Sequence, residues 1–403
     1  MGTPTLQIRP DNPDFLDLPW EKRINEWDVD RLCKMPTGIH RHPVVFVAYE
    51  EGVYAIKEMS SRLAANEYRV LRALEEETHR AAEPAGLVDR DWLDPHEEGA
   101  GAVITRYVDH AFPYRRLISG AGFGERRDQM LDALASLLVE LHMSGCYWGD
   151  CSLSNVLYRF DAGAIEAIMI DGETSKVYAT LSAGQRLEDI EIMKENVAGE
   201  MADIAAETGV ELANADLDLG SDVSSRYSAL WDELTADLVI SRNEAYKIRE
   251  RISRINQLGF SVHDLQIEPG EEGDVVRMKA HVGGRTFNSD TLRERTGIDA
   301  SENQARTILA DLDYYLAKHG ITSSTAKSVG TFQWLTSWFE PRVAKIAEIW
   351  PHGDDPIQGY CDFLAHRLKL ATARGEDVDN EEAFGSWAEH GFPGSPMIGR
   401  NDL

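Results

Sequence analysis

HMSGCYWGDCSLSNVLYRFDAGAIEAIMIDGET, residues 142–174, is the stretch on which the fold turns. Asp150 and Asn155 stand five residues apart on a polar turn, and an apolar strand, 167–170, then ends in a second acid, Asp171. Phosphoryl transfer asks for this set. One group accepts the nucleophile's proton, others hold metal ions against the phosphates, and a cation keeps ATP in line. Asp150 can take a hydroxyl proton, the Asn155 amide oxygen can bind metal, and Asp171 can chelate a second position. Glu173 offers one more carboxylate, to metal or to a structural hydrogen bond. Alone, a Gly-Asp pair is an ordinary turn and Asp171 a helix N-cap. The joint spacing H-x-x-G-x-x-x-G-D-x-x-x-x-N, followed by an apolar strand and D-x-E, is much rarer than its parts.

Upstream, 43–49 (PVVFVAY) and 52–58 (GVYAIKE) read as strands joined at Glu51-Gly52. Val53, Ala55 and Lys57 share one face. The small Ala55 leaves room for a flat base, and Lys57 can reach phosphate oxygens. Residues 61–77 read as a helix whose apolar stripe of Val70, Leu71 and Leu74 also carries Glu67. A carboxylate there is costly unless paired, and Lys57 is its natural partner.

Composition sets bounds on this reading. At 403 residues the chain is too long for one ordinary core, and 43% hydrophobic content is normal for a globular protein. The formal charge is −28, and residues 187–237 hold 14 acids against Lys194 and Arg226 alone. Such a surface repels nucleic acid and anionic membranes, so neither is expected as a partner. Cys33, Cys146, Cys151 and Cys361 form no C-x-x-C pair, which argues against a zinc ribbon or redox motif. With no apolar run near 18 residues and no signal-peptide pattern, a cytoplasmic setting is expected.

Further along, residues 1–26 are expected to wrap an edge, 102–108 to form a strand, and 126–143 a helix with Leu131, Leu134, Leu138 and Leu141 in one stripe. A hairpin is expected over 155–170 with Asp161-Ala162-Gly163 as its turn. Residues 184–208 and 224–257 look helical. In the acidic helix, Asn196 and Glu200 read as part of a solvated face, with Asp189 a candidate brace for the Asp150 loop. A linker at 268–274 suggests a boundary. Beyond it, Gly283-Gly284 reads as a hairpin turn and 300–319 as a helix opened by Asp299 and Glu302. Arg277, Lys279 and His281 alternate along one strand, a stripe that reads as a solvated edge face. Trp334, Trp338, Phe339, Trp350 and Tyr360 read as core, in a tail that is helical to about residue 375.

The region from about 27 to 240 resembles the protein-kinase-like superfamily, nearest to bacterial lipopolysaccharide kinases and small-molecule phosphotransferases. The residues that carry the likeness are YAIK ending at Lys57, Glu67, WGDCSLSN and the acid of IDGE. RLCKMPTGIHRHPVVFV, WGDCSLSN and KENVAGE also look like a bacterial family with a kinase-like N-terminal half and a C-terminal domain of unknown function. The resemblance implies an α+β, bilobal fold: an N-lobe of antiparallel sheet plus helix (1–108), a mainly helical C-lobe (109–265), and a mostly helical C-terminal domain with a β-hairpin (266–403). It implies ATP and Mg²⁺ as cofactors, a Lys57–Glu67 ion pair, Asp150 as base, and Asn155 and Asp171 as metal ligands, with Glu173 beside them. The backbone at Arg106, Tyr107 and Val108 would hold adenine, with Ala55 and Leu157 counted among the nucleotide contacts.

Departures from the pattern narrow the expectation. The turn PTGIHRHP has Gly38 as its single glycine, where His40, Arg41 and His42 would grip phosphate by charge or simply tip a hairpin. Trp148 stands where a loop histidine is usual, D-G-E replaces D-F-G, and no A-P-E follows. The expected activity is therefore phosphate transfer to a hydroxyl of a small molecule or carbohydrate rather than a typical protein. Two alternatives stand beside it: a nucleotide-binding pseudokinase acting as a regulator or scaffold through its C-terminal domain, which is the candidate surface for a protein partner, and an AMP transferase.

Overall fold

Six short runs near the N-terminus form an antiparallel sheet: β1 (Thr5–Ile8), β2 (Leu32–Cys33), β3 (Val44–Tyr49), β4 (Gly52–Met59), β5 (Pro84–Asp89) and β6 (Gly101–Arg106), in the order β1-β5-β6-β4-β3-β2. This is a computed structural model. It describes residues 2–35, 41–78, 80–117, 126–209, 211, 214–241, 244, 246–269, 275–350 and 355–394. The chain divides into two units, Met1–Tyr158 with Ala167–Asp232, and Arg159–Glu166 with Glu233–Leu403. Both are mixtures of antiparallel strands and helices, so the fold is α+β, with the large sheet first and helices dominating afterwards.

In the first unit, the period-2 alternation of β4 separates two faces. Tyr54 and Ile56 join a core with Phe15, Leu18, Trp20, Ile24 and Trp27. The N-terminal segment therefore adds the edge strand β1 but also covers a sheet face, more than the edge wrapping expected of it. Glu58, fully buried on that face, is held by Arg23 (2.6 Å) and Arg90 (2.7 Å), which fastens the cover to the sheet. The opposite face carries α1 (Ser61–Glu77), whose Ala64, Tyr68 and Leu71 pack against Met59 and Val103. Ser60 caps α1 through the Leu63 amide.

Beyond the sheet come β7 (Ala111–Pro113), α2 (Arg127–Met143), β8 (Cys146–Tyr147), β9 (Val156–Asp161), β10 (Ala164–Met169) and β11 (Lys176–Val177). The four leucines expected as a stripe on α2 are all buried, and so are Met130, Ala133, Ala135, Leu137 and Val139, so the buried face is wider than one stripe and leaves Asp128 and Asp132 on the exposed side. Strands β7, β9 and β10 form a small sheet, and β8 pairs with β11. Helices α3 (Ala183–Thr208), α4 (Asn214–Leu217) and α5 (Leu219–Thr235) follow. The stretch expected as one helix over 224–257 is interrupted: α5 gives way to β12 (Leu238–Ser241) before α6 (Tyr246–Gln257).

The second unit joins β12 to the hairpin β13 (Val262–Pro269) and β14 (Val275–Val282), with α7 (Phe287–Thr296), α8 (Glu302–Lys318), α9 (Ser324–Trp334), α10 (Glu340–Ile349), α11 (Pro356–Arg374) and α12 (Asn380–Glu389). Strand β14 is flanked by β12 and β13. This pairing draws the chain into the second unit from residue 233. Residues 268 and 269 of the expected linker are paired in β13 with β14, and 270–274 lie outside the described residues. Gly283-Gly284 leads from β14 towards α7 instead of turning a hairpin.

Helix α8 is opened by Ser301, whose amide donates to the Gln304 side chain (3.2 Å), while Asp299 pairs with Arg293, which corrects the expected cap. The Arg277, Lys279 and His281 stripe lies on the central strand, in register with Glu268, Gln266 and Asp264 of β13, so it is not an edge face. Trp334, Phe339, Trp350 and Tyr360 are buried in one core with Phe363 and Trp387, and Trp338 packs against it partly exposed. The tip of the β9–β10 hairpin belongs to this unit. Buried Asp161 accepts from the backbone amides of Asn303 (3.0 Å) and Gln304 (2.7 Å), and Ala162 exchanges hydrogen bonds with Gln358. No helix among the described residues is long and apolar enough to cross a membrane.

Candidate active site

Lys57 points from β4 to the α1 side of the sheet. Its ammonium lies 2.6 Å from Glu67 and 3.0 Å from Asp171. Glu67 is 2% exposed and Lys57 13%, so the expected pair forms in low-dielectric surroundings, where losing one member strands the other. Burial pushes the Glu67 carboxyl up, to about 8, against the opposing pull of Lys57, and the Asp171 carboxylate adds to the rise. Burial also works to lower Lys57, but Glu67 and Asp171 outweigh it and hold its pKa above the ordinary value.

The Asp150 loop is fixed from below by α3. Asp189, fully buried, accepts from the Trp148 amide (2.6 Å), the Gly149 amide (2.8 Å) and His142 Nε2 (3.1 Å). His142 Nδ1 lies 2.8 Å from the Tyr227 hydroxyl. Burial depresses the His142 pKa, with Asp189 opposing, so the ring is neutral at pH 7. In the tautomer that satisfies both contacts, Nε2–H donates to Asp189 and Nδ1 accepts from Tyr227. Gly149 has φ of +79°, and a Cβ there would stand 3.3 Å from the Thr174 carbonyl oxygen, so glycine is required immediately before Asp150.

Two more α3 residues reach the same loop. Asn196 donates to Asp150 Oδ1 (2.9 Å) and to the Cys151 carbonyl (3.2 Å), and Glu200 accepts from the Leu153 (2.7 Å) and Ser154 (2.9 Å) amides. The part of this face read as solvated is therefore the loop's support. Spacing of i, i+7 and i+11 puts Asp189, Asn196 and Glu200 on one side of the helix, and that spacing is the signal that could have found them. Burial raises the Asp150 pKa; the Asn196 hydrogen bond opposes this and the Asp171 charge adds to it.

Asn155 donates to the Asp150 carbonyl (2.9 Å), while its own carbonyl accepts from Ile170 (3.1 Å), the residue before Asp171. Trp148, fully buried, donates its indole N–H to the Asp171 carbonyl (3.0 Å). Asp171 Oδ1 accepts from the Glu173 amide (3.2 Å), which tightens the D-G-E turn. Glu67, Asp171 and Glu173 present carboxylate oxygens within 4.8 Å of one another.

A cavity in the first unit is lined by Ala55, Lys57, Glu67, Arg106, Tyr107, Val108, Asn155, Leu157 and Asp171. Six of the residues expected at the nucleotide thus line one space with Asn155 and Asp171. Val44, Phe46, Ala82, Thr105, Pro113 and Ile170 line it too, and sequence reading did not single them out. Arg41 and His42 are not among its walls. His42 is buried between Glu173 (2.9 Å) and Glu98 (3.3 Å), and Arg41 approaches Glu173 at 3.9 Å. Gly38 and His40 lie outside the described residues. Asp150 is not among the cavity's walls; its backbone carbonyl is bonded to Asn155, which is.

Residues 229–391 match a family model described as a domain of unknown function, DUF4032. No curated protein matches the sequence. Similar solved structures include WaaP in complex with acyl carrier protein, at 13% identity and a TM-score of 0.34, covering 56% of this chain and 88% of that one. Another is the Rio2 kinase–ADP/Mg²⁺–phosphoaspartate complex from Chaetomium thermophilum, at 16% identity and a TM-score of 0.31, covering 57% and 71%.

Proposed function

We propose that the first unit is an ATP- and Mg²⁺-dependent phosphotransferase, kinase-like in its arrangement, acting on a hydroxyl of a small-molecule or carbohydrate acceptor in the cytoplasm. The observation that carries this reading is the meeting of Lys57, Glu67 and Asp171 in the lining of a cavity whose other walls are mostly apolar. Lys57, oriented by Glu67, holds the α- and β-phosphates. Arg106, Tyr107 and Val108 offer backbone groups to adenine, and Ala55 and Leu157 bracket its ring. Asp150 accepts the proton of the acceptor hydroxyl, aided by a pKa raised above the ordinary carboxylate value.

The residues fit a divalent cation. Glu67, Asp171 and Glu173 bring three carboxylates within 4.8 Å of one another, with Lys57 on the first two and His42 on the third, and the Asp171 charge raises the pKa of both Glu67 and Asp150. That excess of negative charge is what a bound cation relieves. Asp171 and Asn155 would hold it, with Glu173 adjacent. When bound, Mg²⁺ offsets phosphate charge during transfer.

The deciding experiment follows ATP in single turnover with wild type, Asp150→Asn and Asp171→Ala, alongside thermal-shift titration with ATP and Mg²⁺. Turnover lost in both variants, with binding kept in Asp150→Asn, is the expected result. Intact turnover in Asp171→Ala would falsify the assignment, and binding without any turnover in wild type would make the unit a nucleotide-binding regulator.

A further inference from the structure

The second unit contains a cleft of about 570 Å³ whose chemistry differs from the rest of this acidic chain. One wall is a single face of α6, with Arg249, Ile252, Ser253, Asn256 and Gln257 at i, i+3, i+4, i+7 and i+8. The other walls are Phe287 and Asn288, at the start of α7, and Arg306, one turn into α8. Among the described residues neither Arg249 nor Arg306 has a carboxylate within ion-pair distance. Their neighbours on α6 behave differently: Arg251 and Arg254 both engage Glu233, at 2.6 and 2.9 Å. In a chain of net charge −28 most arginines find an acid, so two free ones facing one cleft are a specific arrangement.

The rest of the lining agrees. The Asn256 amide oxygen is buried without a hydrogen-bond partner. No lining residue is acidic. Glu302, behind Asn288, is buried and turned away, accepting from the Asn288 and Ser289 amides. It also occupies the α7 amides, so an anion in the cleft must use side chains. Ile252 and Phe287 supply an apolar floor suited to an aromatic or aliphatic body.

We infer that this cleft binds a phosphate monoester carried on an apolar or aromatic body, with Arg249 and Arg306 gripping the phosphate and Ile252 and Phe287 covering the body. Two planar guanidinium forks match a dianionic phosphate in charge and geometry better than they match a carboxylate monoanion. The inference is independent of the reaction proposed for the first unit.

The test is isothermal titration of the full chain with phenyl phosphate, with inorganic phosphate and benzoate as comparison probes. Titrations are repeated in Lys57→Ala, so that binding at the first unit's cavity is recognised separately. The expected result is one saturable phenyl phosphate site that survives Lys57→Ala. Arg249→Ala and Arg306→Ala each weaken it about tenfold or more, the double variant abolishes it, and Arg251→Ala leaves it unchanged. Inorganic phosphate should bind more weakly and benzoate more weakly still. Both arginines are exposed and have no ion pair among the described residues, so these substitutions leave the melting temperature within a degree or so. No saturable phenyl phosphate binding, equal binding in the double variant, or benzoate binding as tight as phenyl phosphate would each overturn the inference.

Discussion

Asn196 donates its side-chain amide to Asp150 Oδ1 at 2.9 Å, so a helix read as solvent-facing at that position holds the proposed base in place. A hydrogen bond to a carboxylate favours the ionised form, and here it opposes the burial that raises the Asp150 pKa. Asn196→Ala removes that bond. The Asp150 pKa should rise further. The base then ionises at higher pH, so the acid limb of the kcat/KM profile should move up while nucleotide affinity stays constant. An unmoved acid limb would separate Asn196 from the chemistry.

Lys57 and Glu67 predict an asymmetric stability pattern. Lys57→Met leaves the buried Glu67 carboxyl without its opposing charge and should cost about 3–5 kcal/mol where that carboxyl is ionised. Burial already raises the Glu67 pKa to about 8 with the lysine present, so without it the carboxyl should hold its proton to still higher pH. The sign follows: without the lysine, stability should fall as pH rises through the Glu67 pKa, and the loss should be smallest below the ordinary carboxylate range. Lys57→Met/Glu67→Leu should recover much of the loss because no charge is left unpaired. Urea denaturation at pH 6 and pH 9 checks all three statements, and equal losses at both pH values would refute the coupling.

Much of this site was legible because local periodicity fixes faces. Alternation in β4 put Lys57 and Ala55 together, and the stripe of α1 placed Glu67 opposite them. The hairpin pattern aligned Asn155 with Ile170 and thus with Asp171. What was illegible depends on pairings distant in sequence. His42 looks like a loop-tip residue until Glu173 closes on it. A helix face that braces a loop has the same composition as one that meets water, so Asn196 and Glu200 were hidden in an acidic run. The pairing of β12 with β14, a strand beyond the apparent linker, is likewise not written in local pattern. Gly283-Gly284 carries a turn signature, but the hairpin is closed at the other end of β14.

His142 gives the first unit a defined pH response. Burial depresses its pKa below the ordinary 6.5, while Asp189 pulls the other way. The unfolded chain therefore binds a proton near pH 6.5 that the folded chain binds only at lower pH. Its contribution to stability is present above about pH 6.5 and is lost as pH falls below that value. Protonation would also remove the acceptor for the Tyr227 hydroxyl, beside the Asp189 that anchors the Asp150 loop. Melting temperatures measured from pH 7.5 to 5.5 should fall more steeply for wild type than for His142→Gln. Parallel curves would remove His142 as the origin.

Trp148 ties the Asp150 loop to the proposed metal ligand, because its indole N–H donates to the Asp171 carbonyl while its backbone amide is held by Asp189. Its own carbonyl accepts from the Thr174 and Ser175 hydroxyls, so the position links three segments of the site. Trp148→Phe keeps an aromatic ring in the fully buried space but removes the donor and part of the volume. An unpaired buried carbonyl and a small void together should cost about 2–4 kcal/mol. With Asp171 less firmly placed, Mg²⁺-dependent ATP binding should weaken about tenfold, while Mg²⁺-independent nucleotide binding, which rests on the apolar walls, should change little. Calorimetric titration with ATP in the presence of Mg²⁺ and of EDTA distinguishes the two effects. Equal weakening under both conditions would mean that Trp148 supports the cavity as a whole and not Asp171 in particular.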